Sequence, residues 1–412
     1  MNRIFYLLIV SISLFCTSCN TPTHSVLDLY SNTSSRTPVI KIHGCDFDRS
    51  KELPKNLDFR FSELYSNVEY IKLEDTEVSS LGEVASIQIT KDNDFIVFDS
   101  NNKKILRFDA TGKFTNAIGC QGKAKNEYQN PSDVKYDPFN NQVAVLDNSR
   151  GRILFYNLDG TFVHHLVFDF PFLTFGIIDK DLIVLYRNEV GDGRTPDMDY
   201  NFQIYNREGV QMKAYQPFNE MHNIRVAGNT FSLQNNRLIG NERYSPVIFT
   251  FNKTELVPLY YLDFGNQQIP KSVLDEAKNL IDLRKGWLKK NDWTICMKFF
   301  ESPTKLILRL SKKNLPLHYI VDKKKTDNYF VKAHAFNDLY GKVDKNFFDF
   351  SYDNKIVYVI DSEIAKNALE SINNNRSEYE NPRASISETD LGLLNELSKH
   401  TNPILQICTL KE

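Results

Sequence analysis

A ten-residue unit recurs along this chain and constrains its fold more than any other feature. Ile105-Leu-Arg-Phe-Asp-Ala-Thr-Gly112-Lys-Phe114 returns as Ile153-Leu-Phe-Tyr-Asn-Leu-Asp-Gly160-Thr-Phe162, and again, degenerately, as Phe202-Gln-Ile-Tyr-Asn-Arg-Glu-Gly209-Val-Gln211. Each copy reads as a strand, a tight turn closed by glycine, and a second strand. Glycine suits the turn because it takes positive φ without a Cβ penalty. A repeat of about fifty residues with β character is the signature of a propeller, in which each copy is one blade.

An apolar run expected as a second strand can be marked six times, at 95–99, 143–147, 182–186, 237–241, 306–310 and 356–360. A first strand precedes each, at 84–90, 133–137, 172–179, 230–234, 293–300 and 347–352. Turn-forming pairs such as Asp92-Asn93, Asn140-Asn141, Asn235-Asn236 and Asp353-Asn354 separate the two. Third strands are expected at 105–109, 153–157, 202–206, 247–252, 317–322 and 404–410. Fourth strands follow in five copies, at 114–119, 162–168, 210–215, 257–264 and 329–335. The sixth copy runs out of chain, and residues 68–74 have no other partner. The expected fold is therefore all-β, a six-bladed propeller of four-stranded blades. An N-terminal strand closes it within the last blade, which protects sheet edges that would otherwise be exposed.

The interruptions of the repeat are as informative as the repeat. With strands lettered A to D outward from the axis, A–B and C–D turns lie on one face and B–C and D–A loops on the other. The long insertions, 119–132, 187–201, 265–292 and 361–403, all fall on the second face. Function concentrates on loops carried by a rigid frame, so that face is the expected binding surface. Two insertions read as helical. Ser272-Val-Leu-Asp275 is a capping box followed by Ala277, Leu280 and Ile281. In blade six, Ile364, Ala365, Ala368, Leu369 and Ile372 make one apolar stripe, and Leu391, Leu394 and Leu397 another. Such helices either pack on the blade ends or form a partial lid over the axis.

The N-terminus has the character of a targeting segment. Arg3 precedes an apolar stretch, 4–15, too short to span a bilayer comfortably. The small residues before Cys19 resemble a bacterial lipoprotein signal, which implies a lipidated Cys19. An ordinary signal peptide is the alternative. Residues 20–38, rich in Ser and Thr, read as a tether. The expected organisation is 1–18 signal peptide, 19–66 tether and extension, and 67–412 propeller. The lipoprotein resemblance implies an outer-membrane location, periplasm-facing because no acidic run follows Cys19.

Asn67-Val-Glu-Tyr-Ile-Lys-Leu-Glu74, the loop from Ile118-Gly-Cys-Gln-Gly122 through Asn126-Glu127-Tyr128 to Pro131, and Asn402-Pro403-Ile404 resemble the six-bladed β-propeller lipoproteins of the Bacteroides group, relatives of NHL-repeat propellers. The resemblance covers residues 67–412 and implies the fold. It implies no activity, because much of that family has none assigned.

Candidate chemistry is sparse. Gly119-Cys-Gln-Gly122-Lys123 lacks Walker spacing and a following helix. Glu127 and Tyr128 are ligand-contact candidates near the channel mouth, or else tie their loop to the next blade. Arg187 and Arg194 could meet an anionic ligand. Asp192, Asp197 and Asp199 could collect Ca²⁺, though their spacing is not an EF-hand and an acidic solvated loop is the favoured reading. No other cofactor is expected. Cys45, Cys120, Cys296 and Cys408 show no CxxC spacing and read as isolated thiols. His164-His165 alternate across a strand and form no compact metal site without other ligands. No nucleophile or metalloprotease motif is present. The net charge of −2, from 50 basic and 52 acidic residues, argues against a nucleic-acid partner. The expected role is a non-catalytic binding module for a glycan, peptide or envelope protein. A lyase or hydrolase with a site in the channel, and a scaffold of an envelope complex, are the alternatives.

Overall fold

The computed structural model describes residues 37–42, 59–60, 64–187, 200–217, 231–242, 244–270, 272–273, 293–312, 315–324, 329–332, 335–337, 341–343, 350–352, 354–373, 388–399 and 402–411. Six four-stranded antiparallel sheets form the blades of a ring. Blade one comprises Val84–Ile89, Phe95–Asp99, Lys104–Phe108 and Phe114–Ala117. Blade two comprises Pro131–Asp137, Gln142–Asp147, Arg152–Asn157 and Phe162–Val167. Blade three comprises Thr174–Ile177, Leu182–Tyr186, Tyr200–Asn206 and Gln211–Pro217. Blade four comprises Phe231–Gln234, Arg237–Asn241, Val247–Asn252 and Glu255–Asp263. Blade five comprises Thr294–Glu301, Lys305–Lys312, Leu315–Asp322 and Tyr329–Lys332. Blade six takes Phe350–Tyr352, Lys355–Ile360 and Ile404–Leu410 from the C-terminal end, and Tyr65–Lys72 from the N-terminal end.

The second strands are mainly apolar along their middles because both of their faces are covered, which also makes them the most legible elements in the sequence. Phe95–Asp99 is buried at every position. The core is accordingly a set of seams between blades. Ile96, Phe98 and Ile105 of blade one meet Val134, Tyr136 and Leu154 of blade two. At the closure, Val357, Leu405 and Ile407 of blade six meet Ile87, Val97 and Leu106 of blade one.

Turn chemistry follows the sequence. Asn235 and Asn236 both have positive φ, as a two-residue hairpin of the I′ type requires. Gly112 has φ +88, and a Cβ there would lie 2.1 Å from the Lys72 carbonyl oxygen. The repeat's glycine is thus needed both for backbone conformation and for close approach to the ring-closing strand.

Helix α1 (Ser362–Asn373) and helix α2 (Glu388–Leu397) form the blade-six insertion. Ala365, Leu394 and Leu397 are buried against Ile360 and Ile404 of blade six, with Tyr70 beside them. The apolar stripes therefore serve to seat the helices on that blade. Ser272 and Val273 are helical, and the rest of the expected helix, 274–281, lies outside the described residues.

Two additions escape the repeat. Val39–Lys41 pairs in parallel with blade four's outermost strand, giving that blade a fifth strand. Ala335–Asn337 does not continue the fourth strand of blade five, as the sequence suggests. It pairs with Phe59–Arg60 and Gly341–Val343 in a separate small sheet.

Candidate functional site

The glycine-rich loop after blade one is firmly tied down. The Arg150 guanidinium donates to the carbonyls of Lys123 (3.0 Å) and Ala124 (3.3 Å). Arg152 donates to the carbonyls of Lys125 (3.0 Å) and Glu127. The Tyr156 hydroxyl donates to the Asn126 carbonyl at 2.9 Å. Tyr128 is 2% exposed and meets Tyr156 edge to face. Burial pushes its phenol well above the usual range. Glu127 turns back into its own loop, accepting the Ala124 N–H at 2.8 Å, with the exposed Cys120 Sγ 3.8 Å from its other oxygen. Both residues thus occupy the loop-tying positions that the sequence allowed as the alternative to ligand contact.

A carboxylate at the end of strand B organises each of the first two blades. Asp99 accepts the backbone N–H groups of Gly82 (2.8 Å) and Glu83 (3.1 Å), and the Asn102 side chain at 2.7 Å. Asp147 accepts those of Asn130 (2.9 Å) and Gln129 (3.1 Å), the Ser149 hydroxyl at 2.9 Å and the Arg152 guanidinium at 3.2 Å. Burial alone would raise both carboxyl pKa values, but these donors outweigh it and hold them below the ordinary carboxylate range. The device clamps the incoming D–A segment to the blade.

Blades three and four break this pattern on the loop-rich face. Where blades one and two carry Asp99-Ser100 and Asp147-Asn148, they carry Tyr186-Arg187 and Asn241-Glu242. Arg187 is buried, with its guanidinium 4.8 Å from the Phe170 ring centroid. Its backbone N–H donates to the Asn201 carbonyl at 2.9 Å. Asn201, fully buried at the start of strand C, donates through Nδ2 to Gln216 Oε1 (2.8 Å) and to Glu242 Oε1 (2.9 Å). Gln216, at the end of strand D, donates through Nε2 to Glu242 Oε2 at 3.0 Å. Gln216 is also one of the few non-glycine residues with positive φ, at +59. Burial raises the Glu242 carboxyl, and the two amides only partly offset it. Among the described residues the two side-chain amides are the donors to this acid. Shifted carboxyls of this kind cluster at functional sites.

Arg187 is thus the sequence candidate that falls at this cluster. Arg194, Asp192, Asp197, Asp199, Cys19 and Cys45 lie outside the described residues. Among the described residues no group of three or more His, Cys, Asp and Glu could hold a metal ion. Cys296 and Cys408 are buried free thiols. His164 stacks on Phe155 with ring centroids 4.4 Å apart, while His165 tilts against Phe162. On the innermost strands, Thr174 Oγ1 donates to Asp133 Oδ2 at 2.5 Å, and Lys135 Nζ lies 3.2 Å from Asp133 Oδ1. There the acid has a cation beside it. Sequence reasoning did not single out Asn201, Gln216 or Glu242. The available signal was the loss of the strand-end Asp in blades three and four, next to an insertion.

The family described as a domain of unknown function (DUF4934) matches residues 45–409. No curated protein matches the chain. A crystal structure of a protein of Bacteroides fragilis NCTC 9343, described as exported, is similar with a TM-score of 0.69 at 18% identity. That similarity covers 91% of this chain and 99% of the other. A member of the DUF4221 family from Bacteroides vulgatus is similar with a TM-score of 0.51 at 12% identity, covering 84% of this chain and 97% of that one. At these identities the likeness shows the fold.

Proposed function

Because the chain belongs to the DUF4934 family, a domain of unknown function, we propose from its own geometry that it is a non-catalytic binding module of the cell envelope. It is anchored through a lipidated Cys19 in the outer membrane, facing the periplasm. It takes a glycan, peptide or envelope protein on the face of B–C and D–A loops, centred where blades three and four meet. The observation that carries this reading is the Asn201–Gln216–Glu242 cluster, in which two buried amides hold a half-buried carboxyl, set in the part of that face where the repeat's carboxylate clamp is replaced. Amide and carboxyl groups held on rigid strands recognise hydroxyl and amide partners with little ordering cost. The export described for the Bacteroides fragilis relative suits an envelope location.

The test is a binding screen of the full chain against glycan arrays and peptide libraries, repeated on variants. Glu242→Gln and Gln216→Ala are expected to weaken the ligand found by tenfold or more with the fold kept. Lys113→Ala, on the opposite face, is expected to leave affinity unchanged. The reverse pattern would overturn the assignment. Membrane fractionation of a Cys19→Ala variant tests the anchor separately, the expected result being release into the soluble fraction.

One observation favours a lyase or hydrolase as the second reading. The Glu242 carboxyl, raised by burial, has the character of a general acid. Turnover of a ligand found in the screen, abolished by Glu242→Gln while binding persists, would establish it.

A further inference from the structure

We infer that the N-terminal segment docks so that any attachment upstream of it holds the loop-rich face away from the attaching surface. The inference rests on the anchored reading above only for the identity of that surface.

The argument is one of strand direction. Val39, Ile40 and Lys41 pair with Tyr261, Leu262 and Asp263 in parallel. Strand D of blade four runs from the C–D turn at Lys253–Thr254, on the plain face, to Phe264, on the loop-rich face. A parallel partner must run the same way, so the chain enters this site from the plain face. The docking is specific. The Tyr261 N–H donates to the Pro38 carbonyl (3.0 Å), the Ile42 N–H to the Asp263 carbonyl (2.9 Å), and the Tyr319 hydroxyl to the Lys41 carbonyl (3.2 Å). Ile42 is 6% exposed, sunk into the seam of blades four and five among Leu262, Phe264 and Leu308.

A second docking point agrees. Tyr65–Lys72 is antiparallel to Ile404–Leu410, with Tyr65 opposite Leu410 and Lys72 opposite Ile404. Ile404 follows the helical insertion on the loop-rich face and Leu410 lies at the plain end. The chain therefore enters blade six from the plain face as well. At both points the upstream end of the chain lies on the plain side, and the cluster around Glu242 lies on the other.

The test is energy transfer to a lipid dye from two sites on one blade. The full chain carries an N-terminal His tag, with Cys16, Cys19, Cys45 and Cys120 changed to Ser. It is bound to vesicles containing a nickel-chelating lipid, and a donor dye is placed at Lys113→Cys (plain face) or Lys123→Cys (loop-rich face). The tag replaces the lipid, so the outcome does not depend on whether Cys19 is acylated. Transfer about twofold or more stronger from Lys113→Cys is expected, because the chain enters its docking strand from that side. Adding Ile42→Asp, which undocks this segment and lengthens the free tail, is expected to shrink the difference, with Tyr65–Lys72 still entering blade six from the plain face. The milder Ile42→Ser serves if the first variant unfolds, as near-ultraviolet circular dichroism would show. Equal transfer, stronger transfer from Lys123→Cys, or a difference undiminished by undocking each overturns the inference.

Discussion

Asp147, the last residue of strand B in blade two, and Glu242, one residue past strand B in blade four, lie at the same end of their blades, yet they are held in opposite ways. Asp147 is surrounded by backbone N–H groups, a hydroxyl and a guanidinium, and its pKa falls. Glu242 has two side-chain amides, and its pKa rises. One carboxylate is committed to holding the chain in place. The other keeps a chemical potential that the fold does not consume. The contrast sets a scaffold position against the proposed site on a ring whose blades otherwise look alike.

The largest effect should come from breaking the first member. Asp147→Ala leaves the Arg152 guanidinium without its buried carboxylate and frees the Gln129 and Asn130 N–H groups. A loss of about 3–5 kcal/mol is expected, measured as a shift of the denaturant midpoint. A loss under about 1 kcal/mol would mean that the clamp is not structural.

The second test uses pH, where the two acids should respond with opposite sign. For Asp147 the folded pKa is lowered, so its contribution is present above the unfolded value of about 3.9 and is lost as pH falls through the folded value. Asp147→Asn should therefore recover relative to wild type on acidification below the carboxylate range. For Glu242 the folded pKa is raised. Its contribution is present below the unfolded value of about 4.3 and is lost as pH rises through the folded value. Glu242→Gln should therefore gain on wild type as pH rises above the ordinary glutamate range. Parallel curves for the two variants would dissolve the comparison.

The smallest effect is expected in the loop after blade one. Glu127→Gln removes one exposed acceptor of the Ala124 N–H in a segment that Arg150, Arg152 and Tyr156 already hold. Stability should change by about 0.5 kcal/mol or less, and affinity for any ligand of blades three and four should not change. A marked loss of binding would return this loop to the site.

The fold was legible to the extent that it is local. The runs at 95–99, 182–186 and 237–241 coincide with their strands because an innermost-but-one strand is apolar on both faces. The Asn-rich turns mark their own backbone conformation. Ring closure was also readable, because a strand without a neighbour at one end of the chain matched a blade lacking a strand at the other. What escaped depends on partners far away in sequence. Val39–Lys41 is three residues long and matters only through blade four's edge, although the alternation Ile40, Ile42 was a hint. Ala335–Asn337 leaves its expected sheet for Phe59–Arg60. The cluster joins Asn201, Gln216 and Glu242 across separations of 15, 26 and 41 residues. Three polar residues at the ends of different strands carry no motif, and only the folded blades bring them together.

The junction of Tyr65–Lys72 with Ile404–Leu410 also sets a schedule for the molecule's birth. The first strand of the ring pairs with the last, and the Tyr65 and Tyr358 hydroxyls that meet at 2.7 Å are separated by 293 residues. Until the ribosome has delivered Ile404–Leu410, blade six is incomplete and Tyr65–Lys72 lacks its blade-six neighbour. Pairing across so long a loop is slow, and open strands are sticky while they wait. A chain shortened by its last ten residues would lose the meeting point of its two ends, and every earlier blade would be left in an arc with two raw edges.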